Sequence, residues 1–401
     1  MDSMLGVWMW PESIRLRKTE AVFDACRRAG VTDVFFLTKG LNGTTAFRSP
    51  LTPPMDPERD LLRDALEAAH ERGMRLHAWF TSASDRHYLK EHPEAGLVHY
   101  TKGPREDIVS ITDPAYADYL SAVLADMLDR YDPDGVHLDY IRYNHLICGW
   151  SEDDRRRYRE AGADLGRLDA LMAKTFLDDN GDKEAIFNAY RAGDRDAVCL
   201  AGVRSANVCR FAGILSDVVR GCGRELILSM ALMPEGSYDD TAFADLHYGQ
   251  VYGELSRYAS LFLPMSYSQA YGKDADWVAE TAAGTLRHGV KTLVGVQAYE
   301  GGTGLTLRDD LLAVKKSGAA GACLFREGGA VWAFRSEGEI SLLNPFPVPV
   351  AACRISAGEE SARIEVNADP FMERSFAVPF RPEAVQAWDE NGREVCVLTV
   401  G

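Results

Sequence analysis

Eight short runs of almost unbroken apolar character recur along this 401-residue chain, each read as a strand followed by an amphipathic helical segment. The runs are "MLGVWMW", "VTDVFFLTKG", "MRLHAWF", "GVHLDYIRY", "ELILSMALMP", "LFLPMSY", "KTLVGVQAY" and "GACLFREGG". A strand with one wet face alternates apolar and polar residues, so runs apolar on both faces belong to a parallel sheet covered by helices. Eight such units predict an α/β fold of the (β/α)8 TIM-barrel kind rather than an open doubly wound sheet.

Helix punctuation agrees. "PERDLLRDALEAAHERG" has Pro57 near its start and Gly73 as its stop, and "DPAYADYLSAVLADMLDRYD" has Asp113 as N-cap with Pro114 at the first helical position. Two stretches depart from the repeat. Residues 144–200, rich in Asp and Arg, read as a helical insertion after strand four, which places them as a lid on the barrel's C-terminal face. From Asn344 the pattern changes to short alternating strands such as "ARIEVNA" and "SFAVPF". The expected division is a catalytic barrel over 1–343 and a small β domain over 344–401.

Composition narrows the partners. A formal net charge of −16 excludes a sequence-independent grip on nucleic acid and disfavours an anionic membrane surface. A carbohydrate substrate fits that charge, and a homo-oligomer is compatible with it. The N-terminal stretch shows neither a basic n-region nor a long apolar h-region, and no transmembrane span is read. The eight cysteines include no CxxC pair, so reduced, mostly buried thiols and a cytoplasmic location are expected. No cofactor is expected. Nor is a metal site, since the cluster from His70 to His99 lacks a two-ligand helical spacing such as HExxH.

Barrels of this kind carry their chemistry at the C-terminal ends of the strands. There the sequence places Trp8, Trp10, Lys39, His77, Trp79, His137, Asp139, Tyr140, Arg142, Glu235, Tyr267, Gln297, Tyr299, Glu300, Arg326 and Glu327. Carboxylates beside flat aromatic faces suit glycoside hydrolysis, in which one carboxyl group protonates the leaving oxygen and another attacks or activates water. Alternation along "GVHLDY" puts His137 and Asp139 on the same, interior side of strand four. Asp139, held ionised by hydrogen bonds, is the expected nucleophile or charge stabiliser. Glu235, in a drier pocket just past strand five, is the expected general acid, with Glu300 and Glu327 as alternative acids. His77, Trp79, His137, Tyr140, Arg142, Tyr267 and Gln297 are the expected substrate contacts.

The stretches "DGVHLDYIRY", "EAAHERGMRLHAWF" and "LHYGQVYGELSRYASLFLPMSY" resemble the family-10-like glycosyl hydrolases, bacterial barrel proteins, over about Leu5 to Gly329. The resemblance implies a (β/α)8 fold and hydrolysis of glycosidic bonds, and it adds Arg204 to the substrate contacts. A more distant likeness to the alpha-amylase and alpha-galactosidase superfamilies places their strand-four nucleophile at Asp139. His137 stands where the amylase pattern has arginine, and strand six ends in Met265-Ser266-Tyr267 rather than a carboxylate. Two other readings stay open on the residues alone: a catalytically inactive carbohydrate-binding barrel, and a metal-assisted hydrolase using His77 and His137.

Overall fold

The computed structural model describes residues 4–401. Eight parallel strands close into one barrel in chain order. They are β1 (Met4–Met9), β2 (Asp33–Lys39), β3 (Arg75–Thr81), β4 (Gly135–Asp139), β5 (Ile227–Leu232), β6 (Leu261–Pro264), β7 (Lys291–Gln297) and β8 (Gly321–Phe325). Alternation splits each strand. Outward residues such as Val34, Leu76 and Val136 join the core under the helices, while Trp8, Phe35, Trp79, Leu263, Leu293 and Cys323 fill the interior. A packed interior leaves the barrel mouth as the place for a site.

The first three units carry α1 (Thr19–Arg28), α2 (Leu61–His70) and α3 (Pro114–Arg130). Asp113 caps α3 as expected, accepting from the Tyr116 N–H at 2.8 Å. In α2 the cap is Asp60 rather than a start at Pro57, because its carboxylate accepts from Arg63 N and satisfies a terminal donor. Gly73, at φ +70°, turns the chain away after that helix as expected.

After β4 the insertion forms α4 (Glu152–Glu160), α5 (Leu165–Met172) and α6 (Ala185–Arg191). The chain then enters α7 (Arg195–Gly221), which packs over half its most apolar stretch into the protein as a barrel helix. The insertion has its own core, including Trp150, Tyr158, Leu168, Ile186 and Leu200. It docks on α8 (Ala242–His247), which follows β5: Tyr190 donates to Asp245 at 2.7 Å. Helices α9 (Ala275–Leu286) and α10 (Gly304–Ser317) follow β6 and β7.

The eighth unit differs from expectation: no helix follows β8. The chain passes instead into β9 (Val331–Ser336) and β10 (Glu339–Leu343), so the C-terminal sheets begin ahead of Asn344. With β11 (Val350–Ala357), β12 (Glu360–Ala368), β13 (Glu373–Ala377), β14 (Ala384–Asp389), β15 (Glu394–Val395) and β16 (Val397–Val400), they form two four-stranded sheets. Alternation along β9 explains the placement. Val331 and Ala333 face the second sheet, whereas Trp332 and Phe334 join the barrel's outer core. The module thus covers α1, where Arg28 stacks 3.8 Å over Phe334 and pairs with Glu373 at 2.8 Å.

Candidate active site

Asp139 is the last residue of β4, and the chain turns sharply behind it. Tyr140 adopts φ +56°, a left-handed conformation that costs a non-glycine residue about 1–3 kcal/mol. That turn directs the Tyr140 N–H back onto Asp139 Oδ1 at 2.7 Å. The indole N–H of Trp79, on β3, donates to Oδ2 at 3.2 Å. These are the donors expected of a strand-terminal carboxylate. Even so, burial raises the Asp139 carboxyl above its usual range, against the pull of Arg142, the Tyr140 N–H and Trp79.

Beside it lies a cavity of about 250 Å³ walled by Trp8, Trp10, Leu37, Leu41, Trp79, Met265, Tyr267 and Phe325, with Thr81, Asp139, Tyr140 and Arg142 as its polar groups. Large aromatic surfaces and a few convergent polar groups are the composition of a small-molecule site. Phe325 lies 5.4 Å from the Tyr267 ring and 5.8 Å from Tyr299.

Glu235 stands in the tight turn Pro234–Ser237 that follows β5. Its Oε1 accepts from the Tyr271 hydroxyl at 3.3 Å, and its buried Oε2 has no partner. Burial raises this carboxyl too, opposed by its backbone, Tyr271 and Arg142. The guanidinium of Arg142, stacked 4.9 Å from the Tyr140 ring and 5.6 Å from Tyr248, therefore acts on both carboxyls.

A residue that sequence reasoning missed ties the two strand ends together. Gln250, fully buried, accepts from Met233 N at 2.9 Å and donates to Ile141 O at 3.1 Å, joining the turns that carry Glu235 and Arg142. Its neighbour Gly249, at φ +66°, packs so close to the Arg204 backbone that a Cβ would lie 2.9 Å from it. The Gly-Gln pair was visible as a motif, but its role depends on partners distant in the chain. Trp8 and Trp10, noted only as strand-end residues, prove to wall the cavity.

Several expected contacts lie elsewhere. His137 faces the interior but beneath the cavity: its Nε2 accepts from the Trp8 indole at 3.0 Å and its Nδ1 meets Ser229 Oγ at 2.9 Å. Both ring nitrogens are committed, and burial drives its pKa well down, so it is a neutral support for Trp8 rather than a substrate contact. His77 is deeper still, level with Phe35 and Gly135, with its Nε2 2.9 Å from Asp33 at the start of β2. The metal-assisted reading loses His137 to these bonds, while His77 keeps an unpartnered Nδ1 but does not line the cavity.

Arg204, fully buried, donates to Cys148 O, His145 O and His247 O and stacks 3.8 Å over Tyr143. It fastens the insertion to α8 and does not line the cavity beside Asp139. Gln297 spends its amide on Ala270 N and Glu300 O. Of the alternative acids, Glu327 is gripped by Arg17 at 2.7 and 2.6 Å, and Glu300 is an exposed partner of Arg393 at 3.0 Å. Neither is a free proton donor at the mouth. Lys39 is likewise structural, a buried partner of Asp85 at 3.0 Å. Among the described residues no three His, Cys, Asp or Glu side chains gather as a metal site.

The barrel with this mouth is an architecture shared with solved glycoside hydrolases. It superposes on the PgaB (BpsB) glycoside hydrolase domain from Bordetella bronchiseptica with a TM-score of 0.62 at 14% identity, covering 81% of this chain and 94% of that one. It superposes on a β-galactosidase from the psychrophilic Marinomonas ef1 with a TM-score of 0.58 at 14% identity, covering 80% and 54%. At such identities the likeness is one of fold. The sequence assigns the family: residues 47–283 match the pattern of glycosyl hydrolase-like 10, and the chain belongs to that family. It is 28% identical over 165 residues to the glycosyl hydrolase DigH of Escherichia coli (strain K12), spanning 35% of this chain and 37% of that protein. It is 25% identical over 126 residues to the glycosyl hydrolase YngK of Bacillus subtilis (strain 168), spanning 27% and 23%.

Proposed function

We propose that the protein is a glycosidase that cleaves an O-glycosidic bond in an oligosaccharide or small glycoside by a two-carboxylate mechanism. The observation that carries this is one guanidinium, Arg142, acting on two buried carboxyls, Asp139 at the end of β4 and Glu235 in the turn just past the neighbouring β5. Asp139, facing the cavity with a backbone N–H and an indole N–H on its oxygens, serves as nucleophile or anionic stabiliser of the oxocarbenium-like transition state. Burial raises both carboxyls, but Glu235 keeps a buried oxygen with no donor on it where Asp139 has a donor on each oxygen, so Glu235 holds the proton that passes to the leaving oxygen. Trp10, Trp79 and Tyr267 supply apolar faces for the sugar ring.

Screening nitrophenyl glycosides and oligosaccharides with wild type and Asp139→Asn tests the proposal. The variant should fold normally and lose at least about a thousandfold in turnover. Comparable turnover in the two proteins would remove Asp139 from the mechanism. Sugar binding without turnover in wild type would favour the inactive carbohydrate-binding barrel instead.

A further inference from the structure

A second groove, of about 300 Å³, runs between the barrel and the C-terminal module, lined by Phe346, Pro347, Val348, Glu300, Asp389 and Arg393. It opens beside the catalytic cavity. Tyr299 and Glu300 are consecutive residues just past β7; Tyr299 packs on the cavity wall at Phe325, and Glu300 lines the groove. The two spaces share no lining residue, and a single turn of the chain stands between them.

The apolar side of the groove is held in shape from within. Asn344, fully buried, donates its amide to Val348 O at 2.9 Å, Ala368 O at 3.1 Å and Asp369 O at 3.1 Å. Its carbonyl oxygen accepts from Phe346 N at 3.0 Å. The loop that offers Phe346, Pro347 and Val348 is thereby fixed before any ligand arrives, which lowers the ordering cost of binding. On the opposite side Arg393 bridges Glu300 at 3.0 Å and Asp389 at 3.3 Å, a row of planar donors and acceptors. A fixed apolar platform facing carboxylates and a guanidinium suits the two surfaces of a sugar ring: its C–H face packs on the first and its hydroxyls bond to the second.

The geometry points to this groove as a second carbohydrate-binding site, which holds the part of a glycan chain that extends beyond the catalytic cavity. The inference rests on the reading of the cavity as a glycosidase site. A glycan chain longer than the cavity encloses would leave it past β7, where the neighbouring groove gives it somewhere to lie.

Affinity electrophoresis of the whole protein tests it, in native gels containing mixed-linkage β-glucan, xylan, galactomannan or glycol chitin. Wild type and Asp139→Asn should both be retarded in at least one of these gels. Phe346→Ala and Arg393→Ala, with thermal midpoints showing that they fold, should lose that affinity on the order of tenfold. Arg393 is exposed, so its variant keeps the test valid if Phe346→Ala folds poorly. Absence of retardation in every gel, or equal retardation of the folded groove variants, overturns the inference. Failure of the glycosidase reading is seen separately, as wild type that is retarded but releases no reducing ends.

Discussion

Burial raises the proton affinity of both Asp139 and Glu235, and Arg142 is the one charge that opposes it at the two together. On the proposed mechanism Asp139 must be ionised and Glu235 protonated, which gives a bell-shaped kcat/KM profile with Asp139 on the acid limb and Glu235 on the alkaline limb. Replacing Arg142 by Met removes a cation from both, so both limbs should move to higher pH. A profile that shifts on one limb alone would separate the two carboxyls. Glu235→Gln should lower kcat about 10²–10⁴-fold and abolish the alkaline limb, as a rate–pH series with a reactive leaving group would show. Asp139 was legible in the sequence because strand alternation and chain position fix where it points. His137 obeys the same alternation, yet one step deeper it meets Trp8 and Ser229 rather than a ligand. Glu327 was misread for a similar reason. Only the fold brings Arg17, 310 residues away in sequence, onto its carboxylate.

At the scale of elements, the insertion is docked through a pair of histidines. His145 and His247 lie with ring centroids 4.2 Å apart, and each Nδ1 accepts a backbone N–H, from Ile147 at 3.0 Å and Leu146 at 3.1 Å. Both must be neutral at Nδ1 for those bonds to exist. Burial, His145 and Arg204 lower the His247 pKa from 6.5 to about 3, while burial, Arg204 and His99 lower that of His145. The folded state thus takes up these protons less readily than the unfolded chain. Docking is at full strength above pH 6.5 and weakens as the pH falls from there toward about 3, by up to about 1.4 kcal/mol per pH unit for His247. Hydrogen exchange in residues 144–150 and α8 should rise across that window, and His247→Gln should flatten the dependence. Unchanged exchange down to pH 4 would show that the pair does not govern docking. The insertion and its place after strand four were readable from helical spacing and the strand count. Its clamp was not, since Arg204 acts through three backbone carbonyls that no side-chain pattern reports.

For the molecule as a whole, the missing eighth helix makes the C-terminal sheets part of the barrel's wall rather than an appendage. Trp332, Phe334, Cys396 and Leu398 share the barrel's outer core. A chain cut after Ala330 should therefore fail to accumulate as soluble, cooperatively melting protein; a truncated barrel with a sharp thermal transition would show that the wall is dispensable. Seven helices and eight strands followed from periodicity. The switch at Val331 did not, because "AVWAFRS" is apolar on both faces and alternation there separates two cores instead of core from water. This construction has a consequence for how the chain is made. The apolar side of α1, near residue 28, waits for partners that reach position 400, and Arg28 meets Glu373 across 345 residues. During synthesis that flank leaves the ribosome long before its cover exists. The nascent chain must carry a sticky, unfinished edge through most of its translation, and chaperone demand should concentrate there.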